Sequence, residues 1–375
     1  MSPQPEAEVL IAGGGLAGSA AAIQLARAGR RVVSLERSTA AHDKVCGEFL
    51  SAEALGYLAG LGVDLAALGA VPIRAVRLAG VTRALPFRAM SLTRCRLDEE
   101  LLRLAAAAGA TVRRGCRVQA LTPCGTVWRA QLENDVVEAR AAFLATGKHD
   151  VAGHPRPPGK QPNLVGFKMY FRLAESQSAV LQECVELSLY RGGYAGLQPV
   201  EGGAANLCCL IDRAVLRRLG GGWANLLAAM QQQCPELRER LTGARPLLEK
   251  PLAIAAIPYG YVRAGAAADG LWLLGDQAAV IPSFTGDGMS IALHSGCLAA
   301  AMYLEGAASS LYHQQLHEEL SRQVSLATTL SRALVWPGTQ RLMASAAALW
   351  PGLIETLAQR TRIAHPVLDR ASRPA

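Results

Sequence analysis

The stretch VLIAGGGLAGSAAAIQLARAGRRVVSLER, Val9 to Arg37, constrains the fold more than any other. A short apolar run ends at Ala12, and Gly13, Gly15 and Gly18 follow it in a G-x-G-x-x-G pattern. Small and apolar residues at helical spacing come next, with Gly29 as a stop signal, and RVVSLE reads as a second strand ending in Glu36. Strand, glycine turn, helix, strand and terminal acid within about 30 residues form the fingerprint of a dinucleotide-binding unit. The helix N-terminus offers its amides and dipole to a pyrophosphate, and the acid, about 20 residues beyond the glycines, accepts a ribose hydroxyl. Glu36 favours an unphosphorylated ribose, hence FAD or NAD, although the adjacent Arg37 keeps the alternative open.

At 375 residues the chain is long enough for a substantial core, and with 51% hydrophobic and 18% charged residues it reads as folded rather than disordered. The net charge of +8 favours an anionic ligand, but the arginines are spread along the chain with no polybasic run, so no nucleic-acid partner is expected. Nine cysteines with neither CxxC nor Cys/His spacing predict no metal site. Adjacent Cys208 and Cys209 are expected as small buried residues on a strand. The N-terminus lacks a secretory pattern, so reduced thiols in a cytoplasm are the expectation. The segment MASAAALWPGLIETLA, broken by Pro351 and closed by Glu355, reads as helical packing, with weak contact to a membrane surface as the alternative. No G-x-S-x-G elbow supports hydrolase chemistry.

A second glycine motif lies in LWLLGDQAAVIPSFTGDGMSIALHSGCLAAAMYL. A strand, Leu271 to Leu274, runs into Gly275-Asp276, and the turn Thr285 to Gly288 opens a long small-residue helix. This arrangement resembles the GD and P-x-x-G-x-G segments of the FAD-dependent oxidoreductases that include the aromatic hydroxylases, flavin halogenases and geranylgeranyl reductases, with one extra residue between Pro282 and Gly286. The resemblance implies FAD as cofactor, with Asp276 at its ribityl or ribose part. It also implies Gly286, Asp287, Gly288 and Met289 at the flavin's pyrimidine edge, where a helix N-terminus favours the negative charge of the reduced ring. SLTRCRLDEELLRLAAAAGATVRRGCRVQAL resembles the family's Arg-x-x-Leu-Asp helix and following strand, which gives Arg94 the FAD phosphates, with Arg96 as the alternative. AAFLATGKHD resembles the strand that returns to the FAD domain, with Thr146 and Gly147 beside the adenosine. The Asp-Gly that aromatic hydroxylases use in handling NAD(P)H has no counterpart. NAD(P)H is therefore expected only as a transient reductant, or electrons arrive from a separate flavin reductase.

The segment KVCGEFLSAEALGYLAGLGV bears on chemistry. Its Gly47-Glu48 resembles the Gly-Glu-Ser of flavin halogenases and related hydroxylases, and its Cys46-Gly47 resembles the Cys-Gly of geranylgeranyl reductases. Both resemblances place it along the flavin's edge. Cys46 is a candidate proton donor, with Lys44 as the group to lower its pKa, or a small packed residue; Glu48 is a candidate base or a structural hydrogen-bonder. Further on, halogenases carry W-x-W-x-I-P and geranylgeranyl reductases Tyr-x-Trp-x-Phe-Pro, where this chain has Tyr194-Ala195-Gly196-Leu197-Gln198-Pro199. The missing tryptophans disfavour halogenation, and Gly196 leaves room beside the flavin for substrate. Gly196 and Gln198 are substrate-side candidates, and Tyr194 is either a third catalytic candidate or a core residue. In NLVGFKMYFRL, alternation puts Lys168 and Tyr170 on one face and Phe167, Met169 and Phe171 on the other, without saying which face meets the substrate.

The expected fold is α/β: a doubly wound FAD domain from residues 1–70, 90–160 and 265–305, an antiparallel substrate sheet from 71–89 and 161–264, and a helical segment over 306–375. The resemblance favours an FAD monooxygenase that hydroxylates an aromatic or polyketide-like substrate through a flavin hydroperoxide. The alternative is a geranylgeranyl-reductase-like enzyme that saturates alkenes of an apolar substrate, and a non-catalytic flavin- or NAD-binding protein is the reading from another class.

Overall fold

The first strand, β1 (Ala7–Ala12), is buried almost along its whole length, as a parallel strand covered on both faces must be. The glycine turn leads into α1 (Leu16–Arg27), whose run of alanines lets it lie close to the sheet. Gly29, at φ 75°, ends the helix, and β2 (Val32–Glu36) returns parallel to β1. The computed structural model describes residues 7–265, 267–336 and 338. The chain continues through β3 (Phe49–Leu50), α2 (Ala52–Leu61), the hairpin β4 (Val71–Leu78) and β5 (Val81–Ser91), and α3 (Arg94–Ala107). Next come β6 (Thr111–Arg114), the hairpin β7 (Ala120–Cys124) and β8 (Val127–Gln131), and β9 (Val136–Leu144). Then follow β10 (Leu164–Arg172), α4 (Glu175–Leu181), β11 (Cys184–Tyr190), β12 (Gly193–Val200), β13 (Ala204–Asp212), α5 (Arg213–Arg218), α6 (Trp223–Gln233) and α7 (Pro235–Arg240). The remainder comprises β14 (Arg245–Pro246), β15 (Leu252–Ala255), β16 (Tyr261–Val262), β17 (Leu271–Leu273), β18 (Ala279–Val280), α8 (Gly288–Leu304) and α9 (Ser309–Val335).

One sheet has the order β6-β2-β1-β9-β8-β7, with β17 parallel to the end of β9. Its β6, β2, β1, β9 and β17 are parallel, so β1, β9 and β17 all end at one edge, the side on which open α/β sheets bind ligands. The second sheet runs β14-β10-β13-β12-β11-β4-β5-β3, mostly antiparallel, with β15 also on β10. Strand β3, from within residues 1–70, pairs with β5 in this second sheet.

The second sheet settles which face of β10 meets the cofactor domain. Phe167, Met169 and Phe171 pack with Leu207, Cys209 and Ile211 against Leu226, Met230 and Leu237 of the helices α6 and α7. Lys168 and Tyr170 therefore look the other way, toward the first sheet. The adjacent cysteines also part: Cys209 is buried in that outer core, but Cys208, expected to be buried with it, is half-buried and faces the cavity described below. Helix α9 closes the described part of the C-terminal segment, and its Leu330 and Leu334 line the same cavity. The segment MASAAALWPGLIETLA lies outside the described residues. Among the described residues no helix is long and apolar enough to cross a membrane.

Candidate active site

Both glycine motifs open onto one cavity of about 950 Å³, which runs from Gly13 and Glu36 to the inner face of the second sheet. The three glycines of the first motif do different work. A Cβ at Gly18 would stand 1.9 Å from the Gly13 carbonyl oxygen, and one at Gly13 would stand 2.4 Å from that of Ala145, so these two permit backbone to meet backbone. At Gly15 the nearest atoms would be Arg94 Nη2 at 3.6 Å and Lys44 Nζ at 3.9 Å. The open space over the start of α1 is thus flanked by two cations.

Those cations share one anion. Asp98 takes Lys44 Nζ at 2.6 Å and Arg94 Nε at 2.8 Å. Burial would raise the Asp98 carboxyl, but Arg94 and Lys44 outweigh it and hold the group below its ordinary value. Two cations against one carboxylate leave positive charge beside the α1 amides, which suits a pyrophosphate. Arg96, the alternative, points away, donating to the Leu68 carbonyl at 3.2 Å.

Glu36 ends β2 at the cavity and accepts from the amides of Gly14 and Ser38, each at 2.9 Å. Burial would raise its pKa, yet the Ser38 amide, the Lys44 charge and the Gly14 amide prevail and keep it low. The carboxylate is therefore anionic and fixed where a ribose hydroxyl would be received. Arg37, Thr146 and Gly147 line this same end. So do Lys148, His149 and Arg156, which sequence reasoning missed. Burial lowers the His149 pKa, and the charges of Arg37, Arg156, Arg117 and Lys148 add to that effect.

In the second motif, Asp276 lines the cavity in the turn after β17, its carbonyl held by Arg156 at 2.9 Å. Gly286 is at φ 75° and faces the Phe49 ring, which a Cβ would meet at 2.6 Å. Gly288, the first residue of α8, has nothing within 4 Å of a Cβ position, so a second helix N-terminus opens on the same space. Met289 lines the cavity too. Asp287, expected with its neighbours at the ring, is buried in the turn and does not line the cavity. Open glycine faces at the starts of both α1 and α8, with the acid at Glu36 and cations between, fit FAD.

Cys46, Glu48, Tyr194, Gly196 and Gln198 also line the cavity. The Cys46 thiol accepts from the Glu48 amide at 3.4 Å, and the cation whose charge reaches it is Arg94, which shares Asp98 with Lys44. Glu48 stands in a dense network of donors. It is fully buried, paired with Lys168 at 2.5 Å, and accepts from the Arg94 amide at 2.8 Å, from Tyr170 Oη at 2.8 Å and from Asn206 Nδ2 at 3.0 Å. Burial raises its pKa against the pull of Lys168 and these donors. Tyr194 packs edge-on to Phe284, and burial pushes its hydroxyl pKa well above the ordinary value. A Cβ at Gly196 would find only Leu187 Cδ2, at 3.7 Å, so the strand is open there. Burial likewise pushes the Cys208 thiol, across the strand from Gly196, up to about 12. Lys168, Tyr170 and Asn206 were not singled out from sequence as site residues; a lysine in the middle of an apolar strand was the one signal available.

Two nucleotide-facing helix starts sharing a cavity with an apolar sheet face define a flavoprotein of the dinucleotide-binding α/β class. Residues 6–145 match the family model described as an FAD binding domain. The chain is 26% identical over 360 residues to the menaquinone reductase of Mycobacterium tuberculosis, spanning 90% of this chain and 86% of that protein. Its fold is shared by the flavin-dependent brominase Bmp2, with a TM-score of 0.77 at 17% identity over 95% of this chain and 93% of that one. The myxobacterial chondrochloren halogenase CndH shares it as well, at a TM-score of 0.75 and 20% identity over 98% and 92%. Residues 6–145 are thus those of an FAD-binding domain, and FAD is the cofactor that the site fits.

Proposed function

We propose that this enzyme saturates a carbon–carbon double bond in a long apolar substrate, the reading preferred over hydroxylation. The observation that carries it is the wall of the cavity away from the nucleotide end. Val76 and Leu78 of β4, Leu85 and Phe87 of β5, and Leu187 and Leu189 of β11 turn alternate side chains inward, with no charged residue among them. Each methylene buried on such a wall contributes about 0.8 kcal/mol, so a polyprenyl-type chain gains more from it than a compact polar aromatic does. The relative named menaquinone reductase supports a prenylated quinone as the first substrate to try.

Bound FAD, once reduced by NAD(P)H or another reduced donor, supplies hydride-equivalent two-electron chemistry. The protein's part is to exclude water with the apolar strands and α9, and to hold a proton. Tyr194 Oη, at the cavity and edge-on to Phe284, is the candidate to hold it, and burial keeps the hydroxyl protonated. The test is anaerobic incubation of the dithionite-reduced holoprotein with menaquinone, followed by air oxidation and mass spectrometry. A product two hydrogens heavier in its side chain is expected. Recovery of unchanged menaquinone, together with an oxygenated product when an aromatic substrate and oxygen are supplied, would put the monooxygenase first.

Gly196→Trp gives a second check. The indole would fill the open space beside Leu187 while the nucleotide end stays untouched. FAD affinity is expected to hold and turnover to fall by about 100-fold through displaced substrate. Equal turnover would mean that substrate does not pass Gly196.

A further inference from the structure

We propose that Lys148, Lys168 and Asn206 are positioning residues that clamp the strap Lys44–Gly47 so that its amides serve as fixed donors to the bound flavin. All four carbonyls of the strap are held by side chains. Lys168 Nζ takes that of Lys44 at 3.1 Å, Lys148 Nζ that of Val45 at 2.6 Å, and Asn206 Nδ2 those of Cys46 and Gly47 at 3.1 and 3.0 Å. These three residues come from the loop after β9, from β10 and from β13, so segments far apart in sequence converge on one short stretch of backbone.

In a trans peptide the N–H points opposite the carbonyl. Capturing the carbonyls of residues 44 to 46 therefore turns the amides of Val45, Cys46 and Gly47 the other way. No acceptor among the described residues takes those three amides, and all three residues line the cavity. Gly47 has nothing within 4 Å of a Cβ position, so the strap's free side is open.

The anchor beneath the strap is unusual. Glu48 is held at φ 62°, a left-handed conformation that glutamate disfavours, and its partner Lys168 is as fully buried as Glu48 itself. A buried ion pair adds little stability over an apolar pair of like size, so its presence here calls for a reason other than stability. Holding the strap supplies that reason: the pair fixes Lys168 Nζ beneath the Lys44 carbonyl while Asn206 joins Glu48 to the carbonyls of Cys46 and Gly47.

The measurements are the FAD dissociation constant, from titration of the apoprotein, and the midpoint potential of the bound flavin. Asn206→Leu and Lys148→Met are each expected to weaken FAD about tenfold, the effect of losing well-placed hydrogen bonds. Each should also move the potential to a more negative value, because amide donors favour the electron-rich reduced ring. Met169→Ala, which cuts a cavity into the opposite face of β10, should lower the melting temperature without moving either quantity. Lys168→Met strands the Glu48 carboxylate and should destabilise the fold, whereas Lys168→Met with Glu48→Gln should recover stability but not the potential. Potentials unchanged in Asn206→Leu and Lys148→Met, or shifted equally by Met169→Ala, would overturn the proposal. The outcome does not depend on the substrate, so it stands or falls apart from the reductase reading.

Discussion

Gly15→Ala is expected to fold as the parent does and to bind FAD about 100-fold more weakly, whereas Gly18→Ala is expected not to reach the native fold at all. The two residues belong to one motif, and what separates them is what a methyl group would meet. At Gly15 it would meet no protein atom closer than 3.6 Å, so the folded chain has room for it. It would then stand between the first amides of α1 and the Arg94 and Lys44 cations, in the space a pyrophosphate needs. Charge-assisted hydrogen bonds are worth about 1.5–3 kcal/mol each, and losing or lengthening one or two accounts for the factor of 100. At Gly18 the methyl would lie 1.9 Å from the Gly13 carbonyl oxygen and 3.1 Å from Ile11 Cγ2. The methyl is fixed to the α1 backbone and the carbonyl it meets belongs to the glycine turn, so relief requires α1 to leave β1, and the fully buried alanines of α1 go with it. Gly60→Ala in α2 is the control, since nothing lies within 4 Å and the backbone is helical. It should be neutral or stabilising by about 0.5–1 kcal/mol. Melting temperature and flavin absorbance of the purified variants separate the three cases. A colourless, well-folded Gly18→Ala would show that its role is in binding and not in packing.

The motif was legible because its whole logic is local: Gly13 to Glu36 is one turn, one helix and one strand, and each residue's neighbour is fixed by that short path. The Gly275-Asp276 turn and the start of α8 were legible for the same reason. What sequence alone left open was register between distant segments. Alternation puts Lys168 and Tyr170 on one face of β10, but only the packing of α6 and α7 on the other face turns them toward the cavity. Asn206 reaches Cys46 across 160 residues, and nothing in AANLCCLID marks it as different from any other strand asparagine. Lys44 was the nearest cation to Cys46 in sequence, yet Asp98 of α3 holds both it and Arg94, one turn earlier on α3, and the charge that reaches the thiol is that of Arg94. Asp287 sits within a cavity-facing turn by position, but the left-handed backbone at Gly286 redirects the chain and leaves its carboxylate buried beneath.

Acidification is expected to weaken the protein through His313, by about 2.5 kcal/mol between pH 7.5 and pH 4.5. His313 of α9 is buried, and its Nε2 accepts the Leu273 amide of β17 at 3.1 Å, which only a neutral ring can do. Burial, with the Arg263 charge adding to it, lowers the pKa from 6.5 to about 4. The unfolded chain therefore binds this proton more readily than the native one, and stability rises with pH through the window between the two values. The contribution is complete above pH 6.5 and is lost progressively as the pH falls toward 4. Protonation would also cost β17 its amide partner immediately before Gly275 and Asp276, so the strand that delivers the second cofactor motif is the part loosened first. His313→Gln keeps an acceptor for the Leu273 amide but does not titrate. Urea unfolding of parent and variant across this range should give curves that converge toward acid, the parent losing the additional 2.5 kcal/mol or so. Parallel curves would mean that His313 titrates alike in both states, since Asp98 and Glu36, whose lowered pKa values act only at more acidic pH, contribute nothing in this range.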